Sequence, residues 1–116
     1  MIVYTDASKK ELCVVVEQDG WEDVIIVPAP EGVTTNEAEY LAILHALEIL
    51  KGDLHIWSDS ELAVKQINRE YHTKEKRLRV LATQVWGKSK TRASNGWETT
   101  VSWLPREENK AGKVLG

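Results

Sequence analysis

This sequence has one cysteine, three histidines and no long apolar run. The single cysteine, Cys13, has no internal disulfide partner, and no Cys or His stands at metal-finger spacing around it, which argues against a structural zinc. Cys13 therefore reads as a strand residue. No window approaches the ~18 consecutive apolar residues that a bilayer span needs. The opening MIVYTDASKK lacks the basic segment and apolar stretch of a secretory signal. A soluble, cytoplasmic protein with no membrane partner is the expectation.

A strong excess of one charge is also missing. Lys and Arg number 15 against 18 Asp and Glu, a net charge of −3, which argues against bulk attraction to nucleic acid. The charge is unevenly spread, however. Residues 62–96 hold nine of the basic residues against two acids, so that segment carries +7 and the remainder −10. Either a local basic face on an acidic body or an ordinary solvated helix surface gives this pattern. With 116 residues, 42% hydrophobic and 28% charged, the chain suits one folded domain over 1–116 and lies outside the disordered range.

Three β-branched apolar runs, at 1–6, 12–17 and 24–28, are separated by the turn signals Ser8-Lys9-Lys10 and Gln18-Asp19-Gly20, which predicts an antiparallel meander. Residues 36–51 are rich in helix formers, with Tyr40, Leu44 and Leu47 at helical spacing and Gly52 just beyond as a C-cap. A short strand at 54–58, helices at 61–68 and about 76–86, an alternating strand at 97–103 and one closing helix within 106–115 complete the order β-β-β-α-β-α-α-β-α. That order predicts an α/β fold, a mixed sheet covered by helices.

Asp6 ends the first strand and Asp59 the fourth. If those strands are parallel neighbours, both carboxylates stand at the C-terminal sheet edge where such folds build sites. Each has a plainer reading, Asp6 in a turn and Asp59 as the cap of the next helix. Glu39 shares a helical stripe with Ile43, Ala46 and Leu50 and so should face the sheet, although a capping box with Asn36 competes for it and Thr34 with Glu37 fits the same box. Three converging carboxylates repel one another unless a cation neutralises them. Hard oxygen donors without Cys or clustered His point to Mg²⁺ or Mn²⁺. Two such ions, ~4 Å apart, suit in-line phosphodiester hydrolysis.

YTDAS (4–8), TTNEAEY (34–40), WSDSELAVKQI (57–67) and VSWLPREENKAG (101–112), in this order, resemble the ribonuclease H family in its compact form without a basic protrusion. The resemblance implies a five-stranded mixed sheet of ribonuclease H-like fold and Mg²⁺-dependent endonuclease cleavage of the RNA strand of RNA·DNA hybrids. It implies Asp6, Glu39 and Asp59 as catalytic metal ligands, Asn36 as an RNA-strand contact read through 2′-hydroxyls, and Tyr71, His72 and Lys74 within the region that grips the DNA strand. Ser8 falls in the loop that approaches the substrate, and Lys113 beside the metals or the scissile phosphate. A monomer is expected.

Two departures stand out. The family's N-x-x-A-D-x-L pattern meets Asn109-Lys110-Ala111-Gly112-Lys113-Val114-Leu115 here, so Lys113 replaces the fourth carboxylate, and Glu107 and Glu108 lie on the wrong side of Asn109 to replace it. The first loop, Ala7-Ser8-Lys9-Lys10, lacks the glycines that many relatives carry. None of His45, His55 and His72 falls in the loop between Trp103 and Asn109 where the family often has a histidine. The five Trp residues are expected in the core. Alternatives to an enzyme are a non-cleaving hybrid-binding module, suggested by Lys113, and a protein-interaction scaffold, suggested by the negative charge.

Overall fold

A computed structural model describes residues 1–116. Strands β1 (Ile2–Ala7), β2 (Glu11–Gln18) and β3 (Trp21–Pro28) form the expected meander. Ser8 closes its first turn by accepting at Oγ from the amides of Lys10 (3.1 Å) and Glu11 (3.0 Å). In the second turn Asp19 and Gly20 both take positive φ, at 50° and 83°, the handedness that a tight hairpin between twisted strands requires.

Helix α1 (Thr35–Ile49) leads to β4 (Leu54–Ser58), then α2 (Glu61–Ile67), α3 (Lys76–Ser94), β5 (Thr99–Trp103), a 3₁₀ turn (Arg106–Glu108) and α4 (Lys110–Leu115). The sheet order is β3-β2-β1-β4-β5. The β1–β4 and β4–β5 pairs are parallel, and the β1–β2 and β2–β3 pairs antiparallel. Strand alternation sends Val3, Val14, Val16, Ile56 and Val101 to one face, where Tyr40, Ile43 and Leu47 of α1 and Leu78, Ala82 and Val85 of α3 complete the main core. Cys13 and Val15 point to the opposite face and meet Ala111 of α4. No helix is long and apolar enough to cross a membrane.

Three expectations need correction. Helix α3 runs eight residues past Trp86 and carries Gly87 in its interior. Its extension is anchored by Arg92, which is buried and donates to the carbonyls of Leu47, Leu50 and Gly52 at the C-terminal end of α1. The Leu47 and Leu50 carbonyls, in the last turn and cap of α1, carry the negative end of its dipole, which a cation satisfies, and Gly52 lies in the loop just beyond. Arg92 therefore does not belong to a basic surface. The closing helix is also not continuous: Asn109 adopts an extended backbone (φ −84°, ψ 108°) and caps α4 after the 3₁₀ turn.

The tryptophans are the third correction, since none is fully buried and Trp21 and Trp103 are 51% and 45% exposed. Trp103 uses its indole N–H on the backbone oxygen of Asp59 (3.3 Å), and Trp86 uses its own on Ile67 (2.8 Å). Both rings sit at the edges of the layers, where the polar N–H finds a carbonyl and the ring covers the rim. His55 stacks on Trp57 at 4.4 Å and shares a hydrogen bond with Ser102, a structural place in the sheet.

Candidate metal centre and substrate groove

Register brings the first two carboxylates together. Thr5 of β1 pairs with Ser58 of β4 in the parallel ladder, so the next residue on each strand, Asp6 and Asp59, emerges at the same C-terminal edge. Glu39 arrives from α1. The competition for the cap of that helix is settled in favour of Thr34: its hydroxyl accepts from the Glu37 amide, and the Glu37 carboxylate accepts from the Thr34 amide. Asn36 is thereby left exposed on the first turn, and Glu39 is free of any capping role.

One carboxylate oxygen from each of Asp6, Glu39 and Asp59 lies within 4.8 Å of the others. Asp6 and Glu39 are buried, at 6% and 8% exposure. Burial, then the charge of Asp59, pushes the Asp6 carboxyl above its ordinary range, against which the Ala7 amide, Glu39 and Arg106 pull it down. Glu39 is pushed up more strongly, by burial and by the charges of Asp6 and Asp59. No Lys or Arg forms an ion pair with any of the three. The Glu39 Oε1 atom is buried with no hydrogen-bond partner at all. A buried, unpartnered carboxylate oxygen facing two more carboxylates is costly by itself and fits a hard divalent cation well.

Helix α4 closes one side of this cluster. Asn109, wholly buried, donates through Nδ2 to the Thr5 carbonyl (2.9 Å) and to Asp59 Oδ2 (3.2 Å), while its Oδ1 accepts from the Ala111 amide (3.1 Å). Gly112 is the α4 residue that meets the carboxylates: a Cβ there would sit 3.4 Å from Asp6 Oδ2 and 3.6 Å from Asp59 Oδ2. Lys113, one residue on, is exposed and pairs with no acid of the cluster. The cation whose field reaches Asp6 is Arg106, in the 3₁₀ turn.

The remaining candidates gather elsewhere. Tyr71, His72 and Lys74 line an open hollow of about 750 Å³ together with Gln66, Arg69, Thr73, Arg79, Thr83 and Trp86. Arg69 stacks over the Trp86 ring at 3.9 Å, and the Tyr71 hydroxyl sits between Lys65 and Glu61. Ser8 spends its hydroxyl on its own turn. Sequence reading passed over Asn109 and Gly112 as site residues. The signal for Asn109 was its place as the only residue before the last helical turn able to cap it; nothing in the sequence marked Gly112.

A five-stranded mixed sheet in the order 3-2-1-4-5, with acidic residues ending its two central parallel strands, defines the ribonuclease H-like fold. The RNase H family model matches residues 1–105, and the chain belongs to that family. Among solved structures it is similar to RNase H1 from the halophilic archaeon Halobacterium salinarum NRC-1, at 25% identity and a TM-score of 0.74 over 98% of this chain and 92% of that one. It is also similar to LC11-RNase H1, isolated from compost by a metagenomic approach, at 26% identity and TM-score 0.75 over 98% and 90% of the two chains. LC11-RNase H1 in complex with an RNA/DNA hybrid superposes with TM-score 0.72 at 23% identity, over 99% of each chain.

Proposed function

We propose that this protein is a divalent-metal-dependent endonuclease that hydrolyses the RNA strand of RNA·DNA hybrids. The observation that carries the reading is the cluster of Asp6, Glu39 and Asp59, with its orphaned Glu39 oxygen and no paired cation. Membership of the RNase H family and the hybrid held by the related LC11-RNase H1 support the substrate class.

Asp6, Glu39 and Asp59 would hold Mg²⁺ or Mn²⁺, which when bound supplies the positive charge that activates a water and stabilises the leaving oxygen. The carboxylates bind in their charged form, so Glu39 must give up its proton first. Water adds across the P–O3′ bond, leaving a 5′-phosphate and a 3′-hydroxyl. Arg106, whose charge acts on Asp6, would balance charge that builds up at the scissile phosphate. Asn36, exposed on the first turn of α1, serves the RNA strand. The hollow bearing Tyr71, His72 and Lys74 takes the DNA strand, its cations on phosphates and its aromatic rings on sugars or bases.

A second reading, a module that binds hybrids without cutting them, is favoured by α4 offering Gly112 and Lys113 where the family pattern has a carboxylate. Incubating a hybrid labelled on its RNA strand with the protein separates the two. Fragments ending in 3′-hydroxyls with Mg²⁺ or Mn²⁺, and none with chelator, are expected of the enzyme. Retention of an uncut hybrid under both conditions would establish the binding module instead.

A further inference from the structure

We infer that Asn109 is a positioning residue for the metal centre, its carboxamide fixing the orientation of the Asp59 carboxylate. The inference rests on the metal reading above and extends it to a residue outside the three-carboxylate cluster.

Capping α4 does not account for an asparagine at this position. A cap needs only a side-chain acceptor, which Thr34 supplies for α1 and Ser60 for α2 with a hydroxyl. Asn109 is instead 0% exposed, and burying a whole carboxamide is expensive unless each polar atom is matched. Here each is matched. The acceptor Oδ1 takes the Ala111 amide, and the Nδ2 group divides its two protons between the Thr5 carbonyl of β1 and Asp59 Oδ2. Only an amide side chain provides one acceptor and two donors in this compass.

The consequence is geometric. Asp59 lies just past the end of β4, beyond the ladder, and its side chain makes no other hydrogen bond to a donor. Without Asn109 its carboxylate would be free to rotate. With it, one oxygen is tied to the neighbouring strand β1, whose next residue is Asp6, and the backbone at Gly112 walls the same side. A neutral N–H orients a carboxylate without neutralising it, so the negative charge stays available to a cation, whereas an ammonium in this place would compete. Partners of this kind behind metal ligands change affinity by about 10–100-fold when removed.

The test uses Asn109→Ser and Asn109→Thr, which keep a capping acceptor but replace the two N–H donors with a single hydroxyl proton on a shorter side chain that cannot bridge Thr5 and Asp59, beside Asn109→Ala, which loses everything. Mn²⁺ binding to the nucleic-acid-free protein is followed by electron paramagnetic resonance, and folding by thermal melting. The expected result is that Ser or Thr recovers most of the melting temperature lost in Ala, yet binds Mn²⁺ about 10–100-fold more weakly than the unaltered protein. In turnover assays the Mg²⁺ midpoint should rise with the KM for hybrid unchanged. A folded Ser or Thr variant that binds Mn²⁺ within twofold of the unaltered protein overturns the inference, as does failure of both cap-retaining variants to fold, since Asn109 then serves the fold alone. Absence of Mn²⁺ binding by the unaltered protein would remove the metal reading itself, and this inference with it.

Discussion

Thr34 and Glu37 hold one another across the first turn of α1, each side chain accepting the other's backbone amide at 3.1 Å. This reciprocal cap fixes where the helix begins, and so which residues its buried stripe contains. Replacing Thr34 with alanine should cost about 1 kcal/mol by chemical denaturation. It should also weaken metal binding modestly as the turn carrying Glu39 loosens. A stability loss with unchanged metal affinity would show that the cap and the site are independent.

Glu39 is a liability to the metal-free fold, buried beside two like charges with an oxygen unpartnered. Glu39→Gln removes the ionisable group whose pKa is raised on folding, and should therefore raise metal-free stability at neutral pH by on the order of 1–3 kcal/mol. Cleavage should fall at least 100-fold. Melting curves and single-turnover rates on the same preparation check both signs.

The pH dependence follows from the directions of the shifts. Asp6 and Glu39 have folded-state pKa values above their unfolded ones, so the unfolded chain releases protons first. These two groups therefore make the metal-free protein progressively less stable as pH climbs above the ordinary carboxylate range, until the folded-state groups ionise too. Metal binding displaces their protons, so Mg²⁺ or Mn²⁺ affinity should rise with pH over the same window. Calorimetry at pH 5.5 and 8 in buffers of different ionisation enthalpy would reveal the proton release. A pH-independent affinity would refute it.

Arg92 ties α3 to the carbonyl end of α1 through three backbone oxygens, with Thr99 accepting from its Nε. Arg92→Met should cost roughly 2–4 kcal/mol, because those carbonyls lose charged donors. Arg92→Lys should restore little of it, as an ammonium cannot span several oxygens with a planar fork. Denaturant titrations of the two variants decide the point.

Lys74→Ala should raise KM for hybrid severalfold and leave turnover at saturation near normal. It should also lower the salt dependence of binding by about one ion if Lys74 meets a phosphate. An unchanged salt slope would place the DNA strand elsewhere.

Much of this was legible in the sequence because alternation and spacing report burial directly. Val3 and Val14 read as sheet core, Tyr40 and Leu47 as the helix packed on it, and the element order emerged intact. Asp6 and Asp59 were visible as acids at the ends of two strands and Glu39 as an acid on an apolar helical stripe, although a turn, a helix cap and a capping box accounted for them equally well until the structure placed them together. What escaped depends on contacts between distant segments. The sequence around Arg92 looks like a solvated basic helix, and only the third dimension shows that its charge is consumed 40–45 residues away, at the end of α1. Position along the chain puts Lys113 where the family has its fourth carboxylate, as a cation beside the metals or the scissile phosphate, yet the rotation of α4 set by the Asn109 cap turns Gly112 to the cluster. The tryptophans misled because ring size argues for burial while the indole N–H argues for an edge.

The pairing of Thr5 with Ser58 carries a last consequence. Side chains alternate faces along a strand, so sliding β1 by one residue against β4 would turn Val3 out of the core as it carried Asp6 away from Asp59. The oily residues thus act as a ruler for the acidic ones. A change in the interior that shifted the strands would therefore show first as a failure to fold, and any chain that does fold arrives with its two acids already aligned.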